Sequence, residues 1–208
     1  GDSGAHANAF IVTKSKGNYY NGLECTSTSG HVGGWIGHWN GSSSDRQLQA
    51  RVGGTGINAS DTLAMYITSA GYVMKPAQPS FKAYYLPDTS WSVGANSVFV
   101  WNNTEHNIGN CYNTSNGRFT APIAGSYQIN YHTINYGAIN NGWISLRKNG
   151  SRFNGGDVHY TNTVSYWHFS NNSMTVYLAK DDYLEVYAGN AHTFHGGNWS
   201  QFSGFLIG

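Results

Sequence analysis

The sequence predicts an all-β protein, and three observations carry that prediction. Aromatic residues make up 15% of the 208 positions and there are 27 glycines, while Leu, Glu and Lys, which fill helices, are scarce. No window sustains apolar residues at spacings of three and four. Short runs of alternating apolar and polar residues recur instead, separated by Gly, Asn, Ser and Asp clusters that make turns.

Charged residues are only 10% of the chain and the formal net charge is +1. Lys and Arg are dispersed, so the electrostatic footprint of a nucleic-acid binder is absent and no nucleic-acid partner is expected. No apolar run reaches the 18 residues of a membrane span, so no membrane insertion is expected either. The chain begins GDSGAHANAF, without Met or an apolar leader core, and reads as a fragment or processed product. The GDSG tetrapeptide matches a serine-protease motif by coincidence, since nothing that would complete a triad accompanies it. Cys25 and Cys111 are read as isolated thiols ahead of a single disulfide, and they are too few for a zinc site.

Residues 1–76 are expected to form strands at Phe10–Thr13, Tyr19–Cys25, Gly34–Trp39, Leu48–Val52, Leu63–Thr68 and Gly71–Met74, joined by Gly41–Ser44 and Gly53–Gly56. So many short strands with few continuous apolar runs make a poor core for one chain. The expectation is an extended, intertwined β shaft whose strands find partners on neighbouring chains; a small independent β domain is the alternative. Met65 and Ile67 alternate with Tyr66 and Thr68, Ser69-Ala70-Gly71 turns the chain, and Pro76 and Pro79 stop further pairing. That segment, Leu63–Phe81, resembles the joint ahead of terminal domains in bacteriophage tail-fibre proteins.

Residues 77–208 read as one compact β domain. Strands are expected at Phe81–Tyr85, Val98–Trp101, Tyr127–Asn135, Gly142–Lys148, Val158–Phe169, Ser173–Leu178, Tyr183–Ala188 and Phe202–Ile207, with turns at Lys148-Asn149-Gly150, Asn171-Asn172 and Lys180-Asp181-Asp182. The informative stretch is Trp101–Tyr131. Asn107, Tyr112, Phe119, Gly125, Tyr127 and Tyr131 fall at the spacing of the C1q-like signature, with Trp101 and Ile129 where that family usually has Phe. ISLRKNG (Ile144–Gly150), SMTVYLAKDDYLEV (Ser173–Val186) and FSGFLI (Phe202–Ile207) extend the likeness in order. The domain is thus similar to C1q-like members of the C1q/tumour-necrosis-factor jelly-roll superfamily. The resemblance implies a ten-stranded, two-sheet jelly roll, a homotrimer, and a binding module instead of an enzyme.

Strand parity places Gly189–Ser200, Asn171–Asn172 and Asn135–Gly142 at the end away from the shaft, and Asn149–Gly156 at the base. The first and third of these loops carry Tyr136, Asn140, Asn141, His192, Phe194, His195, Asn198 and Trp199, with Trp143 following. Aromatic faces stack on pyranose rings while amides and imidazoles bond hydroxyls, so these nine residues are the candidate glycan site. The alternative for Phe194 and Trp199 is that they pin their own loop or a trimer seam. His192 and His195 supply too few ligands for a metal in one chain. His31 and His38 are equally ambiguous, and no cofactor is expected, although an ion on a three-fold axis stays open.

The functional expectation is a trimeric bacteriophage fibre, joined upstream to a virion-attachment protein, whose tip binds host surface polysaccharide. Its location is then the virion, acting outside the cell. The alternatives are a secreted C1q-like lectin and a purely structural trimerisation or decoration protein.

Overall fold

The computed structural model describes residues 21–27, 30–40, 46–52, 62–138, 141–160 and 167–208, with side chains from Leu48 onward. The chain divides into two compact units, Gly1–Ala77 and Gln78–Gly208. In the first unit, β1 (Asn21–Ser27), β2 (Gly30–Asn40), β3 (Arg46–Val52), β4 (Thr62–Ile67) and β5 (Val73–Met74) pair antiparallel in sequence order. The expected strands at Gly34–Trp39 and Leu48–Val52 fall within β2 and β3, and Leu63–Thr68 matches β4 to within a residue. After β4 the chain reverses through two backbone bonds, from Thr68 N–H to the Tyr72 carbonyl and from Gly71 N–H to the Thr68 carbonyl, both 2.9 Å.

Each described strand of this unit finds a partner in the next segment of the same chain. The expected strand at Phe10–Thr13 and the joints Gly41–Ser44 and Gly53–Gly56 lie outside the described residues. No described helix is long and apolar enough to cross a membrane.

The second unit contains β6 (Ser80–Val93), β7 (Ser97–Val98), β8 (Asn103–Ile108), β9 (Tyr112–Asn113), β10 (Arg118–Thr120), β11 (Gly125–Ile134), β12 (Gly142–Lys148), β13 (Ser151–Tyr160), β14 (Phe169–Leu178), β15 (Tyr183–Ala188) and β16 (His192–Leu206). They form two antiparallel sheets. One has the order β14-β11-β16-β6-β8, the other β13-β12-β15-β10-β9 with β7 added beside β15. First and last strands lie side by side, from Phe205 opposite Ser80 to His192 opposite Val93. The described residues form a jelly roll of eleven strands where ten were expected, two of them, β7 and β9, only two residues long.

Strict alternation on β11 puts Tyr127, Ile129 and Tyr131 into the core, as the period-2 pattern requires. Phe81 is the hub. It stacks between Tyr112 (5.1 Å) and Phe119 (4.9 Å) and meets Phe202 edge-on at 4.9 Å. The signature residues each have a physical task. Asn107 Nδ2 donates to the Tyr112 carbonyl (2.8 Å) and its Oδ1 accepts the Tyr112 N–H (3.0 Å). Tyr127 and Tyr131 send their hydroxyls to the Ile123 and Gly156 carbonyls at 2.8 and 2.7 Å. At Gly125 a Cβ would sit 2.7 Å from Leu206 Cδ1 and 3.0 Å from the Gly208 carbonyl oxygen, so only glycine lets the C-terminus close over β11. Cys111 is a buried free thiol, pushed up to about 11 by desolvation, whose Sγ donates to Asn107 Oδ1 and the Ile108 carbonyl.

Two expected turns are strands or strand ends. Asn171 and Asn172 sit inside β14, opposite His132 and Tyr131, and Asn172 Nδ2 bonds the Gly155 carbonyl at 3.0 Å. Gly189–Ser200 is mostly strand as well: β16 begins at His192, and burial alternates through His192, Thr193, Phe194 and His195. Conversely, the continuous strand expected over Val158–Phe169 is broken. Trp167 has φ +64°, in the left-handed region, and an extended strand cannot pass through it.

Candidate functional site

Two facing irregularities in the β6–β16 pair build the site. On β6, residues Leu86 to Thr89 are extra between the pairs His195–Ser90 and Gly197–Tyr85; on β16, Asn198 to Ser200 are extra between Gly197 and Gln201. Such bulges re-aim side chains out of the regular pleat. Gly196 and Gly197 are what permit this. A Cβ on Gly196 would lie 2.4 Å from the Pro87 carbonyl oxygen, and one on Gly197, at φ +61°, would lie 2.3 Å from Asp88 Oδ1.

The bulges bring His195 and Trp199 to the outer surface of the five-stranded sheet, where the ends of β11 and β14 add Tyr136 and Trp167. The His195 ring lies 5.2 Å from Tyr136, 5.3 Å from Trp167 and 5.6 Å from Trp199, and Trp167 is 5.8 Å from Trp199 and 6.0 Å from Tyr136. Tyr136, Trp167 and Trp199 are 40%, 50% and 45% exposed, whereas the His195 side chain is only 13% exposed. The imidazole is therefore the hub of a three-ring aromatic surface. Its Nδ1 faces Asp88 Oδ1 at 3.3 Å, and that carboxylate is 62% exposed. Asn198 is exposed beside Trp199, its carbonyl oxygen accepting from Gln201 Nε2 at 2.8 Å.

Trp167 is held there against backbone strain. Its N–H donates to the Asn135 carbonyl at 2.9 Å and the Asn135 N–H to the His168 carbonyl at 3.0 Å. A left-handed tryptophan costs on the order of 1–3 kcal/mol, and this reciprocal pair of bonds over-determines it. Nearby, a cleft of about 300 Å³ opens between Ser92–Gly94 and Gly137–Ala138, with His192 and Thr193 in its lining.

The nine candidate residues separate into four groups. Tyr136, His195, Asn198 and Trp199 come together here. Phe194 and His192 do not: they are 0% and 7% exposed, because the period-2 alternation turns them inward. Phe194 cannot present a face to a sugar, and His192 reaches only the lining of the cleft beside Ser92–Gly94. Burial lowers the His192 pKa and keeps the ring neutral. His192 and His195 thus point to opposite faces of one strand, which removes them as a metal pair; among the described residues no group of three or more His, Cys, Asp or Glu could hold an ion. Asn141 is exposed in the loop before β12, with φ +46°, and Trp143 stacks on Tyr187 at 6.0 Å on the other sheet. Asn140 lies outside the described residues, as do the side chains of His31 and His38.

Sequence reasoning missed Trp167 and Asp88. Both sat in stretches taken for continuous strand or linker. Pro87 and the Gly196-Gly197 pair were the available signals of facing bulges.

The C1q domain model matches residues 83–207. The mouse complement C1q tumor necrosis factor-related protein 3 is 30% identical over 114 residues, covering 54% of this chain and 45% of the relative, so the chain spans about half the length of that protein. Among solved structures, an Eiger TNF from S. frugiperda superposes with TM-score 0.53 at 7% identity, covering 64% of this chain and 94% of the other. The globular domain of zebrafish complement 1qA protein gives 0.49 at 15% identity, over 63% and 98%. With the signature residues each performing its packing task, the eleven-stranded jelly roll in place, and the domain model covering its length, the chain belongs to the C1q domain family.

Proposed function

We propose that this chain is a self-associating, extracellular C1q-type lectin that binds neutral saccharide through the Tyr136–Trp167–His195–Trp199 surface. C1q domains are non-catalytic and mediate recognition of proteins or other ligands. The observation that carries the saccharide reading is the exposed three-ring cluster around His195. Two indole faces offer apolar platforms for pyranose C–H surfaces. The Asp88 carboxylate and Asn198 amide beside them bond hydroxyls, and Asp88 disfavours acidic sugars by like-charge repulsion.

Self-association is supported by how apolar surface is distributed. In the second unit the exposed large apolar side chains, among them Ile108, Phe169, Tyr177 and Phe205, lie on the β14-β11-β16-β6-β8 sheet or its connections. Between them runs a flat polar ladder: Ser173 Oγ donates to Asn130 Oδ1 (2.7 Å) and Gln128 Nε2 to Ser173 Oγ (3.0 Å). A homotrimer through the ladder part of this sheet alone, leaving its His195–Trp199 end uncovered, would carry three clusters and gain strength by avidity. The relatives named above are animal C1q and tumour-necrosis-factor proteins, which favours a secreted lectin; the virion-fibre placement rests on Leu63–Phe81 alone.

Titrating the full chain with neutral oligosaccharides, read by tryptophan fluorescence, tests this together with light scattering. Trp199→Ala and Trp167→Ala should each weaken binding at least tenfold while leaving the molar mass unchanged. Undiminished binding, or collapse of the assembly to monomers, refutes the site.

A further inference from the structure

The sheet opposite the aromatic cluster carries a second organised surface. In the row that crosses β13, β12, β15 and β10, Arg152 pairs with Arg147, Arg147 with Glu185, and Glu185 with Arg118. The next positions on the same face are Asp157, Ser145 and Tyr187, then His159 and Trp143. Three guanidiniums lie over three aromatic rings: Arg147 is 3.1 Å from the Tyr187 centroid, Arg118 4.2 Å from Tyr183, and Arg152 5.1 Å from Trp143. Trp143 and Tyr187 stack on each other at 6.0 Å and 28°, which makes Arg152, Trp143, Tyr187 and Arg147 one continuous stack.

The charges are layered by depth. Glu185 and Asp157 are recessed, with side chains 4% and 19% exposed, while their partners Arg118 and Arg152 are 40% and 48% exposed. Arg118 spends only its Nε on Glu185, at 2.9 Å. Arg147 stands directly opposite Glu185, yet among the described residues no carboxylate lies within ion-pair distance of it, and its buried Nε has no hydrogen-bond partner. Arg152 commits its Nε and one Nη to Asp157, and that Nη also faces His159 Nε2 at 3.1 Å, so the guanidinium N–H groups left for an anion are the Nη groups of Arg118 and Arg147 and the remaining Nη of Arg152. Stacking fixes their planes, so little side-chain entropy remains to be lost when an anion binds.

We infer that this face binds an anionic polysaccharide, its sulfate or carboxylate groups docking on Arg118, Arg147 and Arg152. Spacing and composition choose that occupant. Adjacent strands are about 4.8 Å apart, so Arg147 and Arg118, two strands apart, are separated by about 10 Å. That suits sparse charges along a sugar chain better than one phosphate per ~3.4 Å of a nucleic-acid strand. The guanidiniums already cover the ring faces that bases would stack on. A protein partner would look for an exposed apolar anchor, and the large exposed apolar side chains lie on the other sheet.

The test is binding of the full chain to immobilised dextran sulfate and to unmodified dextran, at 50 and 300 mM NaCl. The expected result is binding to dextran sulfate alone, weakened at least tenfold by the higher salt. Arg147→Gln, which breaks no ion pair, should weaken it at least fivefold with the melting temperature unchanged within 2 °C, and Arg147→Lys should fall between. Lys180→Gln, an exposed cation off this face, and Trp199→Ala should both bind as the parent does, which separates this surface from the aromatic cluster. Equal binding of unmodified dextran, undiminished binding by Arg147→Gln, or an equal loss in Lys180→Gln overturns the inference. So does duplex DNA that outcompetes dextran sulfate at equal anion concentration.

Discussion

Asn107→Ala isolates what a single signature residue contributes. Tyr112 and Phe119 face each other across β9 and β10, and the bond from Thr120 N–H to the Cys111 carbonyl (2.7 Å) shows that theirs is a non-hydrogen-bonded pair. The backbone N–H and carbonyl of Tyr112 therefore point away from β10, at the sheet edge, while the residue is 4% exposed and stacked on Phe81. Asn107 stands in for the missing strand, answering both groups at 3.0 and 2.8 Å. Alanine leaves one donor and one acceptor unmet at about 1–3 kcal/mol each, the lower half applying because Asn107 is half-exposed and water can enter; the sum is roughly 2–4 kcal/mol. For a unit of this size that is a fall of roughly 10 °C in melting temperature. Asn107→Asp is the sharper variant. It keeps the acceptor for the Tyr112 N–H but sets a negative oxygen against the Tyr112 carbonyl, so it should be at least as destabilising as alanine. Thermal unfolding followed by near-UV circular dichroism reads both. A shift below 2 °C for alanine, or an aspartate variant as stable as the parent, would refute the edge-partner reasoning.

Phe81→Ala should cost about 3–5 kcal/mol by urea denaturation, because the hub of three ring contacts is removed from a fully packed core. Gly197→Ala should leave the fold but displace Asp88 and the bulge, reducing saccharide binding more than stability; equal losses in both would count against the bulge as the positioning device. Burial lowers the pKa of both His192 and His132, the latter's also under the nearby Lys82 charge. Since their folded-state values lie below the unfolded value of about 6.5, their contribution to stability is complete above that pH and is lost as the pH falls through it. Stability should thus drop between pH 7 and 5, and His192→Gln should flatten part of the slope. Asp182 is held down to about 2, first by Lys148 and then by Asn149 and the Ala179 N–H. Lys148→Met should raise its titration midpoint, visible as the carboxyl carbon shift by NMR.

Local and near-local features were legible in the order of residues. Period-2 alternation named the inward face of β11, and the boundaries of β12 and β15 were readable because turn residues flank them on known offsets. The signature spacing named the family because each of its residues satisfies a backbone group or closes a packing contact a few residues or one strand away. Tyr136, His195, Asn198 and Trp199 were legible as candidates from residue type and strand parity together.

The rest depends on which strands lie side by side. HTFHGG reads as a glycine-rich loop until β6 is laid beside it; then its alternation sends Phe194 into the core, and its glycines make room for Pro87 and Asp88. Trp167 joins the cluster because a left-handed backbone turns it beside residues 32 positions away, at Trp199. The arginine row needs four strands in register, drawn from Arg118 to Glu185. Side-chain period tells which face a residue occupies, but not which faces meet, and binding surfaces are made where faces from distant segments meet.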